Sequence, residues 1–240
     1  MSEFKRPRHA LVMQALETLD REFLGAAKCY FGGGTRIAMA LGEYRESADI
    51  DFLCADRDGY RALRSTVTAK SLGAIMRGKI PLAREVIADR YGIRTFLQVG
   101  GEKIKFEIVS EGRIEIAGGV DPDFAVAVLS PHSCFAEKFL ANSDRWNDET
   151  FLGRDVIDLA FMILAWSPAD AEAGLEQARD AYGKSVNDAL KKAVQSMSER
   201  KDYARRCAAR LGVDDTRSLA RGLHRLSAFP RRKPHARTSR

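Results

Sequence analysis

Two aspartates separated by one residue, in Ser47-Ala48-Asp49-Ile50-Asp51-Phe52-Leu53, follow a glycine-rich turn, Gly32-Gly33-Gly34-Thr35, after about one short helix. Alternate side chains of a strand share a face, so the two carboxylates point the same way, about 6 to 7 Å apart along the backbone. Like charges held that close on a hydrophobic strand repel, and isolated carboxylates are costly to bury. A bound divalent cation is the natural counter-charge. A glycine turn that opens a helix offers backbone N–H groups and a favourable dipole to phosphate, so turn and strand together suit a metal-bound triphosphate.

The pattern around this unit alternates helix and strand. A helix is predicted over 8–23, with Leu11, Val12, Ala15, Leu16 and Leu19 as its apolar stripe. A strand over 28–31 leads into the turn. A helix over 36–41 follows, with Thr35 as its N-cap and Gly42 at its end, and then the aspartate strand over 48–54. After a helix over 60–72, strands are expected over 85–90, 93–99, 103–109 and 113–117. Tyr91-Gly92, Gly100-Gly101 and Glu111-Gly112 separate them as hairpin turns would. A short strand over 125–129 meets Ser130-Pro131, a helix-start pairing, and the chain is helical from there to about residue 228. The expected fold class is α/β (α+β): a mixed, mostly antiparallel sheet with flanking helices over 1–130, a helical domain over 131–228, and a disordered basic tail over 229–240.

With 45% hydrophobic and 30% charged residues, the chain has the balance of a globular protein large enough to bury a full core. Its first residues are charged and lack the apolar run of a signal peptide, and its most apolar window, 156–166, is too short to span a bilayer; the cytoplasm is the expected location. Cys29, Cys54, Cys134 and Cys207 lie far apart in apolar runs, which predicts buried free thiols and no zinc site. The histidines are equally scattered and give no support to a histidine-dependent mechanism. The net charge of +6 conceals an asymmetry: residues 200–240 hold 13 Lys or Arg against 3 acids, so the rest is slightly acidic. The basic end reads equally as a solubilising tail or as a nucleic-acid contact surface.

A third acid lies in Lys103-Ile104-Lys105-Phe106-Glu107-Ile108-Val109. Alternation puts Ile104, Phe106 and Ile108 on one face, and Lys103, Lys105, Glu107 and Val109 on the other. Glu107 joins the aspartates if its strand neighbours theirs, because adjacent strands lie about 4.8 Å apart. Otherwise it is a solvent-facing charge paired with Lys105 or Lys103. Three carboxylates on neighbouring strands meet the ligand demand of one or two Mg²⁺ ions.

From Phe31-Gly32-Gly33-Gly34-Thr35 through Tyr44-Arg45-Glu46-Ser47-Ala48-Asp49-Ile50-Asp51-Phe52, the chain resembles the first motif of the AbiEii group of nucleotidyltransferases, the toxins of abortive-infection and toxin–antitoxin pairs. Pro131, Ala136-Glu137-Lys138 and Arg154-Asp155-Val156-Ile157-Asp158 are similar to that family's later signature, a lysine in the first helix of the second domain followed by Arg-Asp-x-x-Asp. The motifs occur in order over residues 31–158. Two features depart from the pattern: the extra glycine Gly32, and Arg36, where family members commonly carry a small or apolar residue.

The resemblance implies transfer of a nucleoside monophosphate from a nucleoside triphosphate (NTP) to an acceptor. Gly33, Gly34 and Thr35 then cradle phosphates. Asp49, Asp51 and Glu107 hold Mg²⁺, with Glu107 alternatively the base for the acceptor hydroxyl, and Lys138 faces a phosphate. Asp155 and Asp158 orient Lys138 or the sugar, Arg154 pairs with nucleotide or with a carboxylate, and Arg45 and Ser47 steady the loop or touch phosphate. Three functions remain open at this point: a toxin that modifies RNA, such as a tRNA end, or a protein, with a cognate antitoxin; a transferase acting on a small molecule such as an aminoglycoside; and a catalytically silent relative that binds nucleotide or RNA. The intact acidic pair argues against the last.

Overall fold

A computed structural model describes residues 4–229. In chain order its elements are α1 (Pro7–Leu16), α2 (Arg21–Ala26), β1 (Cys29–Phe31), α3 (Gly33–Ala40), β2 (Ile50–Cys54), α4 (Arg57–Ser65), β3 (Ile87–Ala88), β4 (Gly92–Val99), β5 (Glu102–Ser110), β6 (Gly118–Gly119), β7 (Val128–Leu129), α5 (Pro131–Arg145), α6 (Arg154–Ala165), α7 (Pro168–Tyr182), α8 (Ser185–Glu199), α9 (Lys201–Leu211) and α10 (Thr216–Ser227). The strands form one mixed sheet in the order β3-β4-β5-β2-β1-β7-β6. Antiparallel pairs predominate, with β2 parallel to β5 and β1 parallel to β7. The mixed, mostly antiparallel sheet with flanking helices is therefore as expected. No helix among the described residues is long and apolar enough to cross a membrane.

The alternation of β2 and β5 decides what each face of the sheet meets. Ile50, Phe52, Ile104, Phe106 and Ile108 pack with α1, α2 and α4 on one side. There the rings of Phe31, Phe52 and Phe106 form a row with centroids 5.7 and 5.9 Å apart. Each such pair contributes about 0.5–1.5 kcal/mol beyond area burial. Leu53 and Leu129 face the other way and join the core of α5–α10, along with Ile37 and Ala38 of α3. Also on that face, Asp51, Lys105 and Glu107 form the floor of the site.

Several local expectations are corrected. The predicted first helix breaks at Thr18–Asp20: the Thr18 carbonyl accepts the amides of Arg77 and Gly78, and the Asp20 carboxylate caps α2 by accepting from the Phe23 amide at 2.9 Å. Thr35 is not an N-cap, because α3 begins at Gly33 and Gly32 occupies the cap position. The strand over 85–90 shrinks to β3, and 113–117 forms no strand, since Arg113 turns back onto Glu111 and Glu137. Ser130 caps α5 as the Ser-Pro pairing predicts. All four cysteines are buried and free. Of the tail over 229–240, Phe229 stacks on Phe139 with centroids 6.4 Å apart, and 230–240 lie outside the described residues.

Candidate active site

The parallel pairing of β2 with β5 sets Asp51 directly opposite Glu107. Antiparallel pairing of β4 with β5 then sets Arg94 opposite Glu107 on its other side. Ion pairs of alternating sign link these residues, from Asp89 through Arg94, Glu107 and Lys105 to Asp51. Arg94 Nη1 donates to Asp89 at 3.1 Å and its Nε donates to Glu107 Oε1 at 2.8 Å. The Lys105 ammonium donates to Glu107 Oε2 at 2.5 Å and lies 3.9 Å from Asp51 Oδ1. Glu107 thus neighbours the aspartate strand and is paired with Lys105, but it is largely withdrawn from solvent. Asp49 sits just ahead of β2 and is exposed.

The electrostatics follow from this crowding. Burial raises the pKa of Asp51 above the ordinary carboxylate value; Lys105 opposes the shift, while Asp49 and Glu107 add to it. For Glu107 burial acts in the same direction, but hydrogen bonds and attraction from Lys105 and Arg94 outweigh it and hold the carboxyl below its usual value. Among the described residues no three acidic, histidine or cysteine side chains form a ready-made metal cage. The donor set nevertheless fits a hard cation: it is all carboxylate oxygen, it is partly desolvated, and a cation, the Lys105 ammonium, already lies against Asp51 and Glu107.

Above the floor stands the start of α3. Gly33 has φ +67°, a left-handed value, and a Cβ there would sit 2.6 Å from Asp51 Oδ2. A Cβ on Gly34 would strike the Arg45 guanidinium. The glycines therefore let the helix N-terminus approach the acids. Gly33→Ala is expected to add about 1–2 kcal/mol of backbone strain and to push Asp51 aside. A lower melting temperature is the expected result, and a wild-type melting temperature would contradict this packing. Thr35, in the first turn of α3, is buried and its hydroxyl lies 2.8 Å from that of Ser47, which ties the helix to the segment ahead of the aspartates.

The helical half supplies a buried ionic hub. Asp158 accepts from Tyr44 Oη at 2.5 Å, Arg45 Nε at 2.6 Å and Arg45 Nη2 at 2.9 Å, and pairs with Lys138 at 2.6 Å. Burial raises its pKa, yet Arg45 and Lys138 overcome that and hold the group far below the usual carboxylate range. Asp155 accepts from Lys138 Nζ at 3.0 Å and from Arg145 at 2.6 and 2.9 Å. The pair spaced three apart on α6 thus grips Lys138 from one helix face, and Arg45 is committed to Asp158. Arg154 pairs with no carboxylate among the described residues; its guanidinium lies 5.1 Å from the Phe151 ring, which Arg145 also covers.

The structure brings Asp51, Glu107, Gly33 and Gly34 together, and gathers Lys138, Arg45, Asp155 and Asp158 around the hub. Three residues escaped sequence reading as members of these clusters, Arg94, Tyr44 and Arg145, while Lys105 is expected from the sequence only as a partner of Glu107. Lys105 and Arg94 carried a signal, since each lies on the Glu107 face of its strand. Tyr44 carried none, because its role depends on stacking 4.0 Å from Phe161, more than a hundred residues later.

The family model described as "Nucleotidyl transferase AbiEii toxin, Type IV TA system" matches residues 14–226. No curated protein matches the chain. Among solved structures, the crystal structure of an antigenic nucleotidyltransferase-like protein from Paracoccidioides brasiliensis is similar with a TM-score of 0.46 and 14% identity, covering 81% of this chain and 92% of that one. The fold described above stands on the strand order, independently of that likeness. The family match spans both halves of the chain, from α1 to the last turn of α10, and on it the chain belongs to the AbiEii family of nucleotidyltransferases, toxins of type IV toxin–antitoxin systems.

Proposed function

We propose that the chain is a Mg²⁺-dependent enzyme that transfers a nucleoside monophosphate from an NTP to a macromolecular acceptor, RNA such as a tRNA end or else a protein, in the cytoplasm and under restraint by a cognate antitoxin. The observation that carries this reading is the register of Asp51 with Glu107 beneath the glycine start of α3. The acceptor hydroxyl oxygen attacks the α-phosphorus, a new P–O bond forms, the bond to the bridging oxygen breaks, pyrophosphate leaves, and the hydroxyl proton passes to Glu107 or to solvent. Positioning and neutralisation of charge are therefore the main tasks of the protein.

Asp49, Asp51 and Glu107 would hold Mg²⁺, which supplies neutralisation of the phosphate charge when bound. Backbone N–H groups of Gly33, Gly34 and Thr35 receive phosphate oxygens at the helix start. Lys138, braced by Asp155 and Asp158, presents a fixed positive charge, and Arg45 with Ser47 holds the loop that carries the aspartates. Arg154, with no carboxylate partner among the described residues, is the free guanidinium for a nucleotide phosphate.

A polyanionic acceptor is supported by the exposed basic residues Lys201, Arg210, Arg217, Arg221 and Arg225 of α9 and α10. Counter-ion release by such residues makes RNA binding steeply salt-dependent. The test is incubation with each labelled NTP, Mg²⁺ and total RNA or total protein. Label in one macromolecular fraction, lost in Asp49→Ala and Asp51→Ala, is expected. Label that persists in those variants refutes the assignment, and label in small molecules alone favours an aminoglycoside-type acceptor.

A further inference from the structure

Lys105 is the cation set between the acids of the floor. A metal ion and the Lys105 ammonium compete for the same oxygens, because that ammonium already donates to Glu107 and faces Asp51. The other cation on the floor, Arg94, is fixed at both ends, by Asp89 and by Glu107. The Lys105 side chain remains 38% exposed on a flexible four-carbon stem, and its partners all lie on the floor, so it is the cation that can leave.

Resting on the active-site reading above, we infer that Lys105 is a displaceable counter-ion: it neutralises Asp51 and Glu107 before substrate arrives, and on arrival of the metal–nucleotide pair it turns from the acids to the triphosphate. The free protein then discriminates against bare divalent metal. A divalent ion brought between the acids meets an ammonium at close range, and the two like charges repel. When the ion arrives with a triphosphate, the balance reverses. The carboxylates are satisfied by the ion, and the phosphate oxygens become the stronger anion for the lysine. Lys105 is in this account a positioning residue that couples metal binding to nucleotide binding, an equilibrium coupling that is reciprocal by necessity.

The experiment measures Mn²⁺ binding by electron paramagnetic resonance, with Mn²⁺ alone and with Mn²⁺ plus each ribonucleoside triphosphate, on wild type, Lys105→Met, Lys105→Arg and Asp51→Asn. Lys105→Met is expected to bind Mn²⁺ alone about tenfold more tightly than wild type and the nucleotide about tenfold more weakly, while Lys105→Arg keeps the wild-type order. Should the methionine variant fail to fold, as judged by circular dichroism, Lys105→Gln carries the same expectation. Mn²⁺ affinity that is unchanged or weakened when the charge at 105 is removed overturns this inference and leaves the active site standing. Nucleotide-dependent Mn²⁺ binding that survives in Asp51→Asn overturns the active site itself, and the role of Lys105 with it.

Discussion

Asp51→Asn is expected to lower nucleotidyl transfer by at least about a thousandfold while leaving the fold intact, because the amide preserves the side chain's shape but cannot serve as an anionic ligand. Stability should move in the opposite direction. Burial and the nearby Asp49 and Glu107 raise the pKa of Asp51, so its ionisation in the metal-free protein is a cost. A carboxyl with a raised folded pKa loses stability as pH climbs through that raised value. The neutral amide escapes this loss, so the variant's melting temperature relative to wild type should improve as pH rises from about 4 in metal-free buffer. Adding Mg²⁺ and NTP should reverse the order, since ligand binding stabilises only the wild type. A variant that melts well below wild type without metal would show that Asp51 supports the fold and is not an acid held ready for a cation.

Asp158→Asn is expected to be the most damaging single change to stability. It leaves the buried Arg45 and Lys138 short of the charge that neutralises them, and breaking such a pair from one side costs about 3–5 kcal/mol. Denaturant midpoints at constant slope read this directly. The pH dependence has the opposite sign to that of Asp51. The pKa values of Asp158 and Asp155 are depressed, so the stability they contribute is fully present above the usual carboxylate value near 4 and is lost as pH falls below it. The gap between wild type and Asp158→Asn should therefore narrow below pH 4. In a double-mutant cycle with Lys138→Met the two losses should fall short of additive, because both changes dismantle one hub. Additive losses would mean that Asp158 and Lys138 act separately.

Much of this site was legible because strand periodicity is a strict geometric rule. Alternation put Asp51 and Glu107 each on a definite face, and the parallel register of β2 with β5 made those faces one. The Ser-Pro start of α5 and the Gly100-Gly101 turn between β4 and β5 were legible for the same reason: their chemistry is local. What escaped depends on distant partners. Arg-Asp-x-x-Asp on a helix reads by itself as a salt-bridged surface, and only the family resemblance points Asp155 and Asp158 at Lys138; their burial escapes the local sequence because Lys138, Arg45, Tyr44 and Arg145 converge on them from other elements. The break at Thr18–Asp20 escaped because an apolar stripe continues through it, while the loop after α4 claims the Thr18 carbonyl from outside the helix. The strand expected over 113–117 failed for a similar reason, since Arg113 finds three carboxylates, Glu111, Glu137 and Asp144, in place of a ladder partner.

The most direct test of the central claim is anomalous diffraction from crystals grown with Mn²⁺ and a non-hydrolysable NTP. The account predicts a Mn²⁺ peak coordinated by Asp51 together with Asp49 or Glu107, triphosphate oxygens against the amides of Gly33 and Gly34, and the Lys105 ammonium withdrawn from Asp51. A peak that avoids Asp51, or a triphosphate bound away from the start of α3, would contradict it.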